Sequence, residues 1–241
     1  MKPTILTDAA LRAHFFRTRE KAYPLPTGCI LTPAARDFAK EQGITFVAQS
    51  MSRAPIPVRD GKPVYIIAET GEETTEKGEL LTHLHDNVLV PKTHQRIAFR
   101  GQLDSLQAQI ILLQTLTDCP TLKARLGELL TCTRAILGAE VKGEPLPPFA
   151  LFGMDSASLR RASHHVEEVF GIPHPIPDHT MGEVAARLNL LRASVRETEL
   201  AALRAFPKGD RTDIVEALNR LSSAVYILFC QTVSQKGGTK F

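Results

Sequence analysis

The feature that most constrains this chain is a set of apolar stripes at three- and four-residue spacing, running from about residue 100 to residue 230. Leu103, Leu106, Ile110, Leu113 and Leu116 form the first stripe, and Leu122, Leu126, Leu129, Leu130 and Ile136 the second. A third helix is predicted around Leu159 to Val169, capped by Ser156 and ended by Gly171 and Pro173. Leu188, Leu191, Val195 and Ala202 mark a fourth, ended by Pro207-Lys208-Gly209. Asp213 can cap a fifth, in which Ile214, Ala217, Leu221, Val225 and Leu228 share one face. Helices that are apolar on one side must bury that side, and short links make them do so against one another. The predicted fold is therefore mainly α: a five-helix bundle over residues 81–241.

The remainder differs in character. Residues 1–50 read as a small N-terminal α/β segment: a short helix at Leu11 to Phe16, then a second opened by Thr32-Pro33 and ended by Gly43, then a strand at Ile44 to Val47. Residues 51–80 are rich in Pro, Gly and Glu and read as a linker or surface loop, with one short strand candidate at Val64 to Ile67. A net charge of only +3 provides no broad electrostatic footprint for nucleic acid or an anionic membrane, so any anionic ligand must be held locally. No apolar run approaches the roughly 18–20 residues of a bilayer span, and the first residues lack the apolar segment of a secretory signal. A cytoplasmic chain is expected. Its four cysteines, Cys29, Cys119, Cys132 and Cys230, show no zinc-like spacing and read as free thiols.

Three polar stripes lie beside the apolar ones. Arg192, Arg196 and Glu199, at i, i+4 and i+7, fall on one narrow strip at about 100° per residue. They suit either a polyphosphate fork or an exposed ion-pair ladder. Asn219, Ser222, Ser223 and Tyr226, at i, i+3, i+4 and i+7, form a second stripe without charge, fitting a ribose or base edge or an amide-rich ligand, or else hydrogen bonds between helices. Lys92, Arg96 and Arg100 cluster at the entrance of the first bundle helix, where backbone amides already favour anions, with Asp104 one turn inside. The alternative there is a solvated helix terminus. His83-Leu84-His85-Asp86 matches the HxHD of metal hydrolases, but further ligands have no fixed position. Of His164 and His165, one ring is expected at the bundle edge and one in water. The chain has neither a GxxxxGK[ST] nor a GxGxxG phosphate loop, and no GxSxG nucleophile.

Taken in order, several segments resemble the cobalamin adenosyltransferases, most closely the ethanolamine-utilisation branch and next the propanediol-utilisation branch. They are Leu31 to Arg36, Leu89 to His94, Phe99 to Leu106, Leu188 to Arg192 with Val195 to Glu199, and Ala217 to Ser223. The resemblance covers most of the chain and is strongest in the bundle. It implies that cob(I)alamin attacks the 5′ carbon of ATP to give adenosylcobalamin and triphosphate, so no side-chain nucleophile is needed. It also implies a site. Arg196, Glu199, Arg192 and Asp104 carry the catalytic positions, with Arg192 bridged to Asp104 across a subunit interface. Thr82, Lys92, Arg96, Arg196, Glu199 and Asn219 bind ATP, Glu199 through Mg²⁺ or the ribose. Phe170, His174 or Ile176 lies against the corrinoid. The expected partners are ATP, cob(I)alamin, further copies of the chain (a trimer favoured), a reductase and a bacterial microcompartment, with no nucleic acid and no membrane.

The chain departs from the family in three places, one of them the segment expected to cover the corrinoid, here Phe170 to His179. Residues 51–81 contain no Cys and no His, where the ethanolamine branch often carries a His and a CCxxC metal cluster, so no iron or zinc cysteine site is expected. The glycine-rich nucleotide loop of the propanediol branch is reduced to Gly78 to Thr82. Two other readings remain in play: a non-catalytic corrinoid or nucleotide carrier, or scaffold, of a metabolic compartment, and a metal hydrolase built on His83, His85 and Asp86.

Overall fold

The computed structural model describes residues 5–18, 21–25, 30–48 and 56–236. The chain divides into two units, residues 1–56 and 57–241. In the first, β1 (Ile5–Leu6) leads into α1 (Asp8–Thr18), followed by β2 (Ala22–Leu25), β3 (Ile30–Leu31), α2 (Pro33–Gln42) and β4 (Thr45–Ala48). The strands form two parallel pairs, β1 with β3 and β2 with β4. Thr32 accepts a hydrogen bond from the Ala35 amide at 3.3 Å, Pro33 starts α2, and Gly43 ends it at φ 65°, a conformation that only glycine adopts without strain. Leu6, Leu11, Phe15, Ala35, Phe38, Ala39 and Ile44 form its core. The small α/β segment expected here is present, with more strands than the single one foreseen.

The second unit opens with strands rather than a linker. β5 (Val58–Arg59) and β6 (Lys62–Pro63) form a hairpin on Asp60-Gly61. Both turn residues have positive φ, 51° and 75°, as a two-residue turn matched to strand twist requires. β7 (Tyr65–Ile67), β8 (Glu73–Thr74), β9 (Leu81–His85) and β10 (Val88–Pro91) make a four-stranded sheet in the order β8-β7-β10-β9. Ile66 and Ile67 pair in parallel with Val88 and Leu89, and the antiparallel pairing of Tyr65 and Ile66 with Thr74 and Glu73 draws the polar stretch before residue 80 into this sheet. Residues 51–55 lie outside the described residues.

The bundle follows: α3 (Gln95–Leu116), α4 (Pro120–Lys142), α5 (Ser156–His164), α6 (Val166–Phe170), α7 (Glu183–Ala205) and α8 (Thr212–Lys236), with a single 3-10 turn at His179–Met181. Four of the five expected helices match. The third is divided at His165, whose φ of −115° and ψ of 54° leave the helical region although the apolar pattern runs on. Its cap is Asp155, not Ser156: the Asp155 carboxylate accepts from the Ser158 amide at 2.8 Å. Asp213 sits inside the first turn of α8 and accepts from Arg211 and from the Leu146 amide, tying α8 to the end of α4. α7 packs on α3 and α8, α4 on α3, and α5 on α8. The expected stripes meet in one core that includes Leu103, Ile110, Leu126, Leu188, Val195 and Leu221. No described helix is long and apolar enough to cross a membrane.

Candidate functional site

The packing of α7 against α8 decides where the polar stripes lie. Each helix spends one face on the core, so residues at the border of that face meet the border residues of its neighbour. On α7 these are Arg192 and Arg196; on α8 they are Asn219, Ser222, Ser223 and Tyr226. These six, with Ser163 and His164 of α5 and His174 of the segment after α6, line a cavity of about 420 Å³. The whole uncharged stripe and both arginines of the charged one thus come together. Ser163 carried no sequence signal beyond being a small polar residue in the turn before the break. His164 lines the cavity while His165 lies outside it, and both side chains are exposed.

The electrostatics favour an anion. No carboxylate lines the cavity, and among the described residues neither Arg192 nor Arg196 has an acidic partner within 4.0 Å. The Arg192 guanidinium instead lies over the Tyr226 ring, 4.6 Å from its centroid. The Tyr226 hydroxyl is hydrogen-bonded to His174 Nδ1 at 2.9 Å, with the two ring planes within 10° of parallel. Burial pushes the Tyr226 phenol up to about 12, with the neighbouring Cys230 adding to the shift and Arg192 opposing it, so the phenol is protonated at neutral pH.

Glu199 stands one turn beyond the cavity. Its Oε1 accepts from Asn219 Nδ2 at 3.1 Å, and the pair borders a second, more apolar pocket of about 330 Å³ shared with Leu203, Phe206 and Val215. Asn219 lines both spaces. Glu199 is half-buried and offers one carboxylate, which suits Mg²⁺ held by a carboxylate together with substrate phosphates.

The remaining sequence candidates lie apart from this cavity. Lys92 is exposed at the end of the sheet and pairs with Glu79 at 3.0 Å, which holds the Glu79 carboxyl below its usual range. Thr82 is half-buried on β9, opposite Val90. Asp104 is exposed on α3, where its Oδ1 accepts from Gln107 Nε2 at 3.3 Å; within the chain it does not meet Arg192. Phe170 is half-buried against the bundle core, and Ile176 is 83% exposed.

Arg96 is held by a buried acid: its Nε donates to Glu140 Oε1 at 2.6 Å and its Nη2 to the Glu140 carbonyl at 3.1 Å. Arg100 donates to the other oxygen of that fully buried carboxylate and to the Leu84 carbonyl at 2.7 Å. The basic cluster at the helix entrance thus clamps α3, α4 and β9 together. Glu140 itself escaped the sequence reading, although it lies four residues after Ile136, on the apolar stripe, where a charge signals a buried partner. His85 and Asp86 are 3.5 Å apart on β9 and the turn after it, and among the described residues no three His, Cys, Asp or Glu side chains are grouped to hold a metal.

The cobalamin adenosyltransferase family model matches residues 73–232, a span that contains this cavity. The corrinoid adenosyltransferase EutT of Escherichia coli K12 is 33% identical over 256 aligned residues, covering 96% of this chain and 93% of that protein. The Salmonella typhimurium LT2 protein of the same name is 32% identical, with 95% and 92% covered. The chain therefore belongs to the cobalamin adenosyltransferase family.

Proposed function

We propose that this protein transfers the 5′-deoxyadenosyl group of ATP to the cobalt of cob(I)alamin, yielding adenosylcobalamin for ethanolamine catabolism. The observation that carries this reading is the pair of guanidiniums on adjacent turns of α7, unopposed by any carboxylate in the cavity and facing a wall of hydroxyl and amide groups. In the transfer, the cobalt lone pair attacks the 5′ carbon, a Co–C bond forms, the C5′–O bond breaks, and triphosphate leaves with the electron pair of that bond. The corrinoid is the nucleophile, so the chain's own work is to position the two substrates and to stabilise negative charge on the leaving group.

Arg196 and Arg192 take the triphosphate oxygens in fork geometry. Asn219 orients the nucleoside and, by holding Glu199, fixes the carboxylate that helps seat Mg²⁺ on the phosphates. Lys92 supplies further positive charge and Thr82 a hydroxyl from the sheet, in this reading after Lys92 exchanges Glu79 for phosphate. Phe170, His174 and Ile176 cover the corrinoid. Asp104, exposed on α3, is the partner that a second subunit presents to Arg192, whose five N–H donors let it hold that carboxylate on one edge and a triphosphate oxygen on another; this makes the active form an oligomer, a trimer by family analogy. A reductase that delivers cob(I)alamin, and a place inside a microcompartment in the cytoplasm, belong to the same proposal.

The test is direct. Purified protein, ATP, Mg²⁺ and chemically reduced cobalamin are incubated without oxygen, and a light-sensitive Co–C product is measured together with released triphosphate. Both should appear in equal amounts. If neither forms while ATP and corrinoid both bind, the carrier reading replaces this one.

A further inference from the structure

The stack at the cavity wall has a geometry that substrate contacts alone do not explain. Tyr226 touches two functional side chains with two different parts of itself: its ring lies under the Arg192 guanidinium, and its hydroxyl is bonded to His174. The ring is braced from behind by Phe229, with centroids 6.1 Å apart and planes within 25°. His174 sits in the stretch between α6 and the 3-10 turn, which has no helix or strand of its own to hold it. Among the described residues this hydrogen bond is the side-chain tie between His174 and α8. Among the described residues of one subunit Arg192 has no acidic partner, and the ring face, 4.6 Å away, is the contact that directs its guanidinium there.

We propose that Tyr226 is a positioning residue that couples the two substrate sides, aiming Arg192 at the triphosphate through its ring and holding the His174 segment against the corrinoid through its hydroxyl. The assignment of the two sides rests on the proposed adenosyl transfer, whereas the two contacts of Tyr226 do not. Separate atoms make the two contacts, so they can be removed separately. Tyr226→Phe keeps the ring and loses the hydroxyl. Tyr226→Leu loses both.

Binding is measured on the full-length protein with two probes that need no turnover: inorganic tripolyphosphate by calorimetry and cob(II)alamin by its visible spectrum. Tyr226→Phe should weaken cob(II)alamin about fivefold, the loss of one hydrogen bond, and leave tripolyphosphate within about twofold. Tyr226→Leu should weaken tripolyphosphate as well, by about two- to fivefold. In a His174→Ala background, Tyr226→Phe should add nothing further, because its partner is already gone. Additive losses in that double variant would overturn the coupling through His174. Equal tripolyphosphate affinity in Tyr226→Leu and the parent would overturn the aiming of Arg192. A melting temperature that falls alongside uniform loss of both ligands would reduce Tyr226 to a packing residue. If the parent binds both probes yet makes no Co–C product, the proposed transfer fails while these comparisons still decide the role of Tyr226.

Discussion

Replacing Glu140 by Gln tests the buried clamp with little change in volume. The parent carboxylate has no solvent exposure and receives Arg96 and Arg100, whose side chains are 22% and 15% exposed. Gln offers one oxygen in place of two and turns an NH₂ donor toward guanidiniums that can only donate. Breaking a buried ion pair by removing one partner costs about 3–5 kcal/mol. Both arginines reach partly into solvent and can rehydrate, and Arg100 keeps the Leu84 carbonyl, so the lower end, about 3 kcal/mol, applies here. At about 2–4 °C per kcal/mol for a unit of this size, the melting temperature should fall by about 6–12 °C. Thermal unfolding followed by circular dichroism reads the shift. A fall under about 2 °C would mean that water already compensates the two guanidiniums, and the clamp would lose its structural role. Arg96→Gln serves as the companion: it should lower the melting temperature by less, since Arg100 still holds Glu140, and leave tripolyphosphate affinity within about twofold. A loss of about tenfold or more would return Arg96 to the phosphate site.

Three further outcomes are expected. Arg196→Ala should lower kcat/KM by about 100-fold, as loss of a charge-assisted contact does, while the melting temperature barely moves because the side chain is exposed; unchanged kinetics would remove Arg196 from the site. Burial alone would raise the Asp213 carboxyl, but hydrogen bonds from Arg211 and the Leu146 amide outweigh it and hold the group below its usual value. The stability it contributes is therefore present above the unfolded pKa of about 3.9 and lost as pH falls through the lower folded value. Asp213→Asn should flatten the melting temperature against pH on that acid limb, and an unchanged slope there would refute the assignment. Burial pushes Cys132 up to about 12 and Cys230 up to about 11, so iodoacetamide on the folded protein at pH 8 should label half-buried Cys119 well before either; early labelling of Cys132 would contradict the packing of α4.

What the sequence disclosed tracks how local each signal is. Helical periodicity is a property of one helix, so α3, α4, α7 and α8 follow from their own residues. The break at His165 does not, because the apolar pattern crosses it unbroken. Of the sheet, only the strand at Val64 to Ile67, seen as β7, was marked by its own residues, and the rest escaped for the opposite reason. β8 is two polar residues held by β7, and β7 in turn pairs with β10 about twenty residues further on, so pairing, not composition, makes β8 a strand. In the site, the two polar stripes could be read as functional or as bland, and only the approach of α7 to α8 brings Arg192, Arg196 and the Asn219–Tyr226 stripe to one cavity. Ser163 and His174 reach the cavity from segments whose path no periodicity predicts.

The same contrast explains which cations are available for substrate in a chain whose net charge is only +3. Sequence alone makes Arg96, Arg100, Arg192, Arg196 and Arg211 look equivalent. In the fold, Arg96 and Arg100 are consumed by Glu140, and Arg211 by Asp213 and the carbonyls of Ala139 and Glu144 at the end of α4. Glu140 is fully buried, so a phosphate that drew Arg96 or Arg100 away would leave a dehydrated carboxylate bare, and one that drew Arg211 away would break its tie to half-buried Asp213. Arg192 and Arg196 face hydroxyls, an amide and an aromatic ring, none of which competes with a phosphate for the positive charge. A chain of low net charge can thus leave cations available to an anion: among the described residues, acidic side chains neutralise Arg96, Arg100 and Arg211, and none lines the cavity where Arg192 and Arg196 stand on adjacent turns.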